Sequence, residues 1–319
     1  MLIRKIHRWM LVFCIGLALT HASARTSDSV ADKVKAPTEI AKGIYVFKGH
    51  AGPASTENQG RLANIALIKG SDGALVWNTG VSHRHGQLLL AAMLDMLDVP
   101  IRSVVISHAY QDVLFGWTAF SEIDIDVVMH ESAVNLMHKR CQGCIDRLTE
   151  LLGAEQMIGT ALAEPSTIIT GPITVTSIDR KLNILDRGFS SGPNDLMLFD
   201  EQTSTLFAGA TIMTDTIIEV RDGRIDSWIE ALNALSDLPI EIIVPDYGEI
   251  GDKRSIQVTL AYLQELRDQV SALLSQGVTL SDAVENAAMP EFADWPGYEE
   301  HHGRNVHQLY LNMESRFFE

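Results

Sequence analysis

Ser103-Val104-Val105-Ile106-Ser107-His108-Ala109-Tyr110-Gln111-Asp112-Val113-Leu114-Phe115-Gly116 is the most informative stretch of the chain. Ser103 to Ile106 is a serine followed by three β-branched apolar residues, the pattern of a short buried strand. A polar segment follows at once. It sets a histidine, a tyrosine and a carboxylate on a loop at a strand end, a place from which several side chains can be aimed at one point. Apolar residues then resume through Phe115 to a glycine.

The segments around it keep this alternation. Gly43 to Phe47, Asn64 to Lys69 and Ala74 to Trp77 read as strands, the last two joined by the turn Gly70-Ser71-Asp72-Gly73. Gln87 to Leu97 reads as a helix ended by Pro100, and Asp126 to Met129 as another short strand. A second block opens near Pro165. Thr174 to Ser177 and Leu182 to Leu185 read as strands, and Leu196 to Phe199 with Thr205 to Ala208 as a hairpin. Ser227-Trp228-Ile229-Glu230 has the form of a capping box opening a helix to Leu235. Glu241 to Val244 is a strand before Pro245. Ile256, Leu260, Leu263, Val270 and Leu274 mark one face of a long helix, and Leu280 to Ala287 a shorter one. Two halves of similar design predict an α/β protein with a pair of mixed sheets inside and helices outside.

The loop resembles the signature H-x-H-x-D-H-x-x-G of the metallo-β-lactamase superfamily. Further landmarks resemble that family in order: Val76-Trp77-Asn78-Thr79-Gly80, Gly192-Pro193-Asn194-Asp195-Leu196, Leu206-Phe207-Ala208-Gly209-Ala210 and Ile243-Val244-Pro245-Asp246-Tyr247-Gly248. Trp295-Pro296-Gly297-Tyr298 and His302-Gly303-Arg304-Asn305-Val306 resemble the end of one subgroup, the exported quinoprotein relay system zinc metallohydrolases. Cys141-x-x-Cys144 followed by Leu151-Leu152-Gly153 fits the same subgroup. The resemblance implies a four-layer αββα sandwich over residues 43–290, with a C-terminal helical tail over 291–319 packed on it through His302, Arg304 and Asn305. It also implies a link to quinoprotein dehydrogenases.

Read residue by residue, the same resemblance argues against the family's zinc chemistry. Of seven ligand positions, only His108 and Asp112 keep a matching residue. Tyr110, Val113, Ser191, Ala210 and Tyr247 stand at the other five, and Asn78 replaces a supporting Asp. His108 and Asp112 would serve different metals, so neither metal keeps the three or so protein ligands a catalytic zinc needs. Val113 and Ala210 have no lone pair to offer. No cofactor is expected, and zinc or iron only in a rebuilt site from His108, Asp112, Asp246 and Tyr247, whose oxygen ligands suit iron better.

Several readings of the survivors stay open. His108 and Asp112 are remnants hydrogen-bonded within their loop, or they line a pocket with Tyr110, Ser191, Asp195 and Tyr247 that takes an anion or a quinone-like carbonyl. A Ser191–His108–Asp112 triad is conceivable by residue type, but nothing places Ser191 on a strained elbow. His83-Arg84-His85 reads as a solvated helix start, and His130 as a loop histidine satisfied by its neighbours. The main reading is a zinc-free protein that binds a small molecule or a periplasmic quinoprotein dehydrogenase component. The alternative is a metal-dependent hydrolase of an ester, thioester or lactone with an altered site.

Composition narrows the partners. The 319 residues are 46% hydrophobic and 21% charged, a globular balance. With 25 basic and 41 acidic residues the net charge is −16, which argues against nucleic acid and against anionic membrane. Residues 1–24 read as an export signal: Arg4, Lys5, His7 and Arg8, then an apolar run from Trp9 to Thr20, then Ala22-Ser23-Ala24. An uncleaved anchor is the alternative. Cleavage leaves a soluble periplasmic chain of charge −19, with a loose arm over 25–42. Of the three cysteines only Cys141 and Cys144 then remain. In an oxidising compartment they are expected to form a local disulfide pinning the start of a helix, with thiol–disulfide exchange as the alternative.

Overall fold

Strands whose every residue is apolar must be covered on both faces, and that requirement builds the layers of this protein. The computed structural model describes residues 33–123 and 125–316. One sheet contains β1 (Thr38–Ala41), β2 (Ile44–Phe47), β3 (Ile65–Lys69), β4 (Ala74–Trp77), β5 (Ile101–Val105), β6 (Asp126–His130) and β7 (Thr167–Ile169), side by side in chain order. β1 to β4 are antiparallel, and β4 to β7 are parallel. The other contains β8 (Ile173–Val175), β9 (Leu182–Asp186), β10 (Leu196–Asp200), β11 (Thr205–Gly209) and β12 (Ile242–Pro245), with only β11 and β12 parallel.

Side chains alternate across each strand. In β4, Leu75 and Trp77 face the second sheet, while Ala74 and Val76 face helices. In β10, Leu196 and Leu198 face the first sheet, while Met197 and Phe199 face helices. Outside the first sheet lie α1 (His83–Met96), α2 (Gln111–Leu114), α3 (Trp117–Phe120), α4 (Glu131–Leu152) and α5 (Ala154–Met157). Outside the second lie α6 (Ile225–Asn233), α7 (Arg254–Ser275), α8 (Leu280–Asn286) and α9 (Gly303–Arg316). The result is the expected four-layer αββα sandwich.

One buried ion pair ties the layers. Arg180 Nε donates to Asp200 Oδ1 at 2.8 Å and its Nη2 to Oδ2 at 2.6 Å. Its Nη1 donates to the carbonyls of Lys42 and Lys69, in the first sheet's region of the chain, both at 3.0 Å.

Several local expectations change. Thr38–Ala41, read as part of the arm, is edge strand β1 on β2. α1 starts at His83, and His85 is buried with its pKa lowered by desolvation to about 3, so that helix start is not solvated. The reason is local: Ser82 caps the helix by accepting from His85 N–H, and His85 Nδ1 accepts from Val81 N–H. α6 starts at Ile225, which puts Ser227 and Glu230 inside the helix and not at its cap. His130 caps α4, its Nδ1 accepting from Ser132 N–H. Of the three expected tail contacts, His302 bonds Tyr262 Oη and the Ala287 carbonyl, and Asn305 bonds Val220 N–H, the Ile218 carbonyl and Tyr262 Oη. Arg304 is solvent-exposed and faces Glu300. The expected export signal lies outside the described residues. Among the described residues no helix is long and apolar enough to cross a membrane.

Candidate functional site

The chain leaves β5 through Ser107 to Tyr110 and turns into α2. That turn is held from below by Asn78, which follows β4 with a φ of 65°. Asn78 Oδ1 accepts from both the N–H and the hydroxyl of Ser107, each at 2.9 Å. Gly116 closes the motif for a steric reason. A Cβ there would stand 1.9 Å from the Thr79 carbonyl oxygen.

His108 is buried. Its Nδ1 lies 2.7 Å from Ser107 Oγ and 3.4 Å from Asp246 Oδ2. Ser107 Oγ is also 3.0 Å from Asp246 Oδ2, and Trp77 Nε1 donates to Asp246 Oδ1 at 3.2 Å. A serine hydroxyl carries one proton, and Asn78 and Asp246 both compete for it. The arrangement is satisfied when His108 Nδ1–H donates to Ser107 Oγ. That assignment leaves Nε2 as a bare lone pair, and Nε2 is indeed buried without a partner. Burial lowers the His108 pKa to about 3 and raises that of Asp246 to about 7. The histidine is thus a neutral imidazole at physiological pH.

The other candidates form a chain of three and a pair. Tyr110 Oη donates to the Ser191 carbonyl at 3.0 Å, and Ser191 Oγ donates to Asp195 Oδ2. Tyr247 Oη donates to Asp112 Oδ2 at 3.0 Å. Burial raises Asp112 and Asp195 to about 6, and raises both tyrosines well above their ordinary value. Tyr110 also packs edge-on against the His108 ring, with centroids 4.5 Å apart. No hydrogen bond joins Ser191, His108 and Asp112 into a triad: Ser191 Oγ goes to Asp195 and Asp112 goes to Tyr247.

Beside these pairs opens a cavity of about 840 Å³. Tyr110, Asp112 and Tyr247 line it, whereas His108, Ser191 and Asp195 lie behind its wall. The sequence reading did not single out much of the rest of the lining. Leu136, Leu148, Ile217 and Ile218 supply apolar surface, and Arg140, Arg147 and Arg221 supply cations. Arg140 pairs with Asp222, and Arg221 contacts Glu219 and Asp222. Arg147 bonds an amide, Gln111 Oε1 at 3.2 Å. No motif marks these residues, because they come from α4 and from the segment between β11 and α6.

Cys141 and Cys144 also line the cavity, and both are free thiols, which corrects the expected disulfide. They lie in the middle of α4 and not at its start. Cβ atoms three residues apart on a regular helix stand about 5–6 Å apart, wider than the roughly 3.5–4.5 Å of a disulfide.

The comparisons with known proteins agree with the layers. A metallo-β-lactamase from Pontibacter korlensis superposes with a TM-score of 0.59 at 18% identity, covering 72% of this chain and 98% of that one. The chain has the metallo-β-lactamase fold. It is also similar to a linear primary-alkylsulfatase from Pseudomonas sp. (strain ATCC 19151), at 21% identity over 290 residues and 77% of this chain. It spans 55% of that relative's length. No protein-family model matches the chain. Within the metallo-β-lactamase fold, the loop after β5 and the turns after β4, β11 and β12 meet at one edge of the sandwich, and the cavity opens there.

The donor set at that edge does not fit a dinuclear zinc centre. Val113 and Ala210 are buried hydrocarbon, and the Tyr110 and Tyr247 hydroxyls are engaged with Ser191 and Asp112. Among the described residues no group of three His, Cys, Asp or Glu side chains is placed to hold a metal ion.

Proposed function

We propose that this protein uses the metallo-β-lactamase fold to bind a small organic anion in its cavity, without zinc-dependent hydrolysis. The observation that carries this reading is the Tyr247–Asp112 bond on the cavity floor, where a phenol takes up the carboxylate that a metal would need. Arg147, whose hydrogen-bond partner is an uncharged amide, is placed to meet an anionic head. The leucine and isoleucine walls suit an apolar tail. An alkyl sulfate has that chemistry, and the similarity to a linear primary-alkylsulfatase points the same way.

Two measurements test the reading. Elemental analysis of the purified protein should find far less than one zinc or iron per chain. One tightly held metal per chain would overturn it. Calorimetric titration with decyl sulfate below its micelle concentration should show saturable binding that Arg147→Gln weakens about tenfold, the loss of one charge-assisted contact.

The resemblance of the tail and the signal pattern of residues 1–24 support two further parts of this proposal. The protein is exported to the periplasm, and its partner there is a quinoprotein dehydrogenase component. A mature N-terminus at Arg25 in a periplasmic extract tests the first. Co-purification of a quinoprotein with the mature chain tests the second.

A second reading, a hydrolase of an ester, thioester or lactone with an altered metal site, is favoured by two orphaned atoms. His108 Nε2 and Asp112 Oδ1 are both buried without a partner. It requires turnover that a chelator or His108→Ala abolishes.

A further inference from the structure

The two cysteines are the reactive groups of the cavity that the binding reading leaves unused. Cys141 is buried and Cys144 half-buried, one helical turn apart on α4, and both face the cavity. Cys141 Sγ–H donates to the Ala109 carbonyl at 3.6 Å, and Cys144 Sγ–H to the Arg140 carbonyl at 3.8 Å. Arg147 sits one further turn along α4, and Arg221 approaches from the segment between β11 and α6. Asp112 is the opposing acidic neighbour.

We propose that Cys144 and Cys141 form a thiol–disulfide exchange pair open to the cavity, Cys144 attacking and Cys141 resolving, with a small carboxylate-bearing disulfide as co-reactant. Cys144 is the attacker because it is the more accessible sulfur and lies beside both guanidinium groups. The neighbouring Cys141 thiol, followed by Arg147 and Arg221, offsets desolvation and holds the Cys144 pKa below its ordinary value. The same pairing, with burial, pushes the Cys141 thiol upward and keeps it protonated until needed. The two arginines also suit the carboxylates of a disulfide such as oxidised glutathione.

The chemistry balances. The Cys144 thiolate attacks one sulfur of R–S–S–R. The Cys144–S–R bond forms as the R–S–S–R bond breaks, and R–S⁻ leaves and is protonated. Cys141 then loses its proton to solvent and attacks Cys144 Sγ. The Cys141–Cys144 bond forms as Cys144–S–R breaks, releasing a second R–S⁻. Two protein thiols are oxidised by two electrons, and one external disulfide is reduced to two thiols.

The helix makes this pair reversible. Closing the bond must draw together Cβ atoms that a regular helix holds about 5–6 Å apart, so the closed form is strained and readily reduced. Gly143, between the two, eases the distortion, since it carries no side chain and faces open space.

Intact-mass spectrometry of the reduced full-length protein with oxidised glutathione tests the proposal. Wild type should lose two hydrogens and retain no glutathione, and reduced glutathione should reopen the bond. Cys141→Ser should trap one glutathione on Cys144. A lowered pKa puts more of Cys144 in the thiolate form at neutral pH, and its weaker nucleophilicity cancels only part of that gain. The trapped reaction should therefore run severalfold faster than in the denatured chain. Arg147→Gln should slow it and move the pH midpoint of the rate upward, which a merely structural arginine would not do. An inert wild type, a stable glutathione adduct on wild type, or a disulfide that reduced glutathione cannot reopen would each overturn the proposal.

Discussion

Tyr247 donates its phenol proton to Asp112 Oδ2 at 3.0 Å, joining the turn after β12 to the first residues of α2 across 135 positions of sequence. The bond holds one carboxylate oxygen and leaves the other, Oδ1, buried and unpaired. Burial raises the Asp112 pKa to about 6, against the lowering effect of this hydrogen bond.

Tyr247→Phe removes the donor and keeps the ring. The Asp112 pKa should rise further, because burial then acts with less opposition. Loss of a bond to a buried polar group should lower stability by about 1–3 kcal/mol. Carboxyl-carbon NMR titration reads the first effect and urea unfolding the second. An unchanged Asp112 titration would show that the bond is absent in solution.

Asp246 gives a pH dependence of defined sign. Its folded pKa is raised to about 7 by burial, against about 3.9 for an unfolded aspartate. Between those values the folded state holds a proton that the unfolded chain has lost. The stabilising contribution is complete below about pH 4 and is lost as pH rises through about 7. His85 and His108, lowered to about 3, act the other way: their contribution is present above about 6.5 and fades as pH falls. The difference between wild type and Asp246→Asn isolates the aspartate. It should move in the variant's favour between about pH 4 and about pH 8, read from urea midpoints. A difference independent of pH would contradict the buried, protonated state.

Asp200→Ala would leave the Arg180 guanidinium buried without its carboxylate. Breaking a buried pair this way costs about 3–5 kcal/mol, so the denaturation midpoint should fall sharply. Replacing both residues by apolar ones of similar volume should recover much of the loss. A double variant no better than the single one would assign the cost to the Lys42 and Lys69 carbonyls that Arg180 also satisfies.

Asn305→Ala should loosen the tail. It removes the partners of Val220 N–H, the Ile218 carbonyl and Tyr262 Oη, all buried. Hydrogen exchange should rise first in α9 and in the segment around Val220, ahead of both sheets. Uniform acceleration throughout would mean that α9 and the sandwich unfold as one unit.

The layers were legible because strand alternation and helix periodicity are local patterns. β4 shows it well: four apolar residues in a row require two covered faces, whichever partners cover them. Errors collected where a neighbour in space overrides a local rule. Ser227 and Glu230 have capping-box spacing, yet α6 begins two residues earlier, at Ile225, whose side chain is drawn into the core against the second sheet. Thr38–Ala41 has weak apolar character and becomes a strand only because β2 offers a free edge.

The candidate site divides along the same line. The identity of the loop residues is a property of the sequence alone. So are the charge balance and the presence of a C-x-x-C pair. The tertiary structure decided what each group touches. It turned His108 toward Ser107 and Asp246, placed Asp112 under Tyr247, and set Ser191 behind the cavity wall. It also wound Cys141 and Cys144 into the middle of a helix facing that cavity. The physical reason is range. Hydrophobic periodicity acts over a few residues, whereas burial, desolvation and hydrogen-bond partners are set by segments a hundred or more positions apart, such as Asp112 and Tyr247.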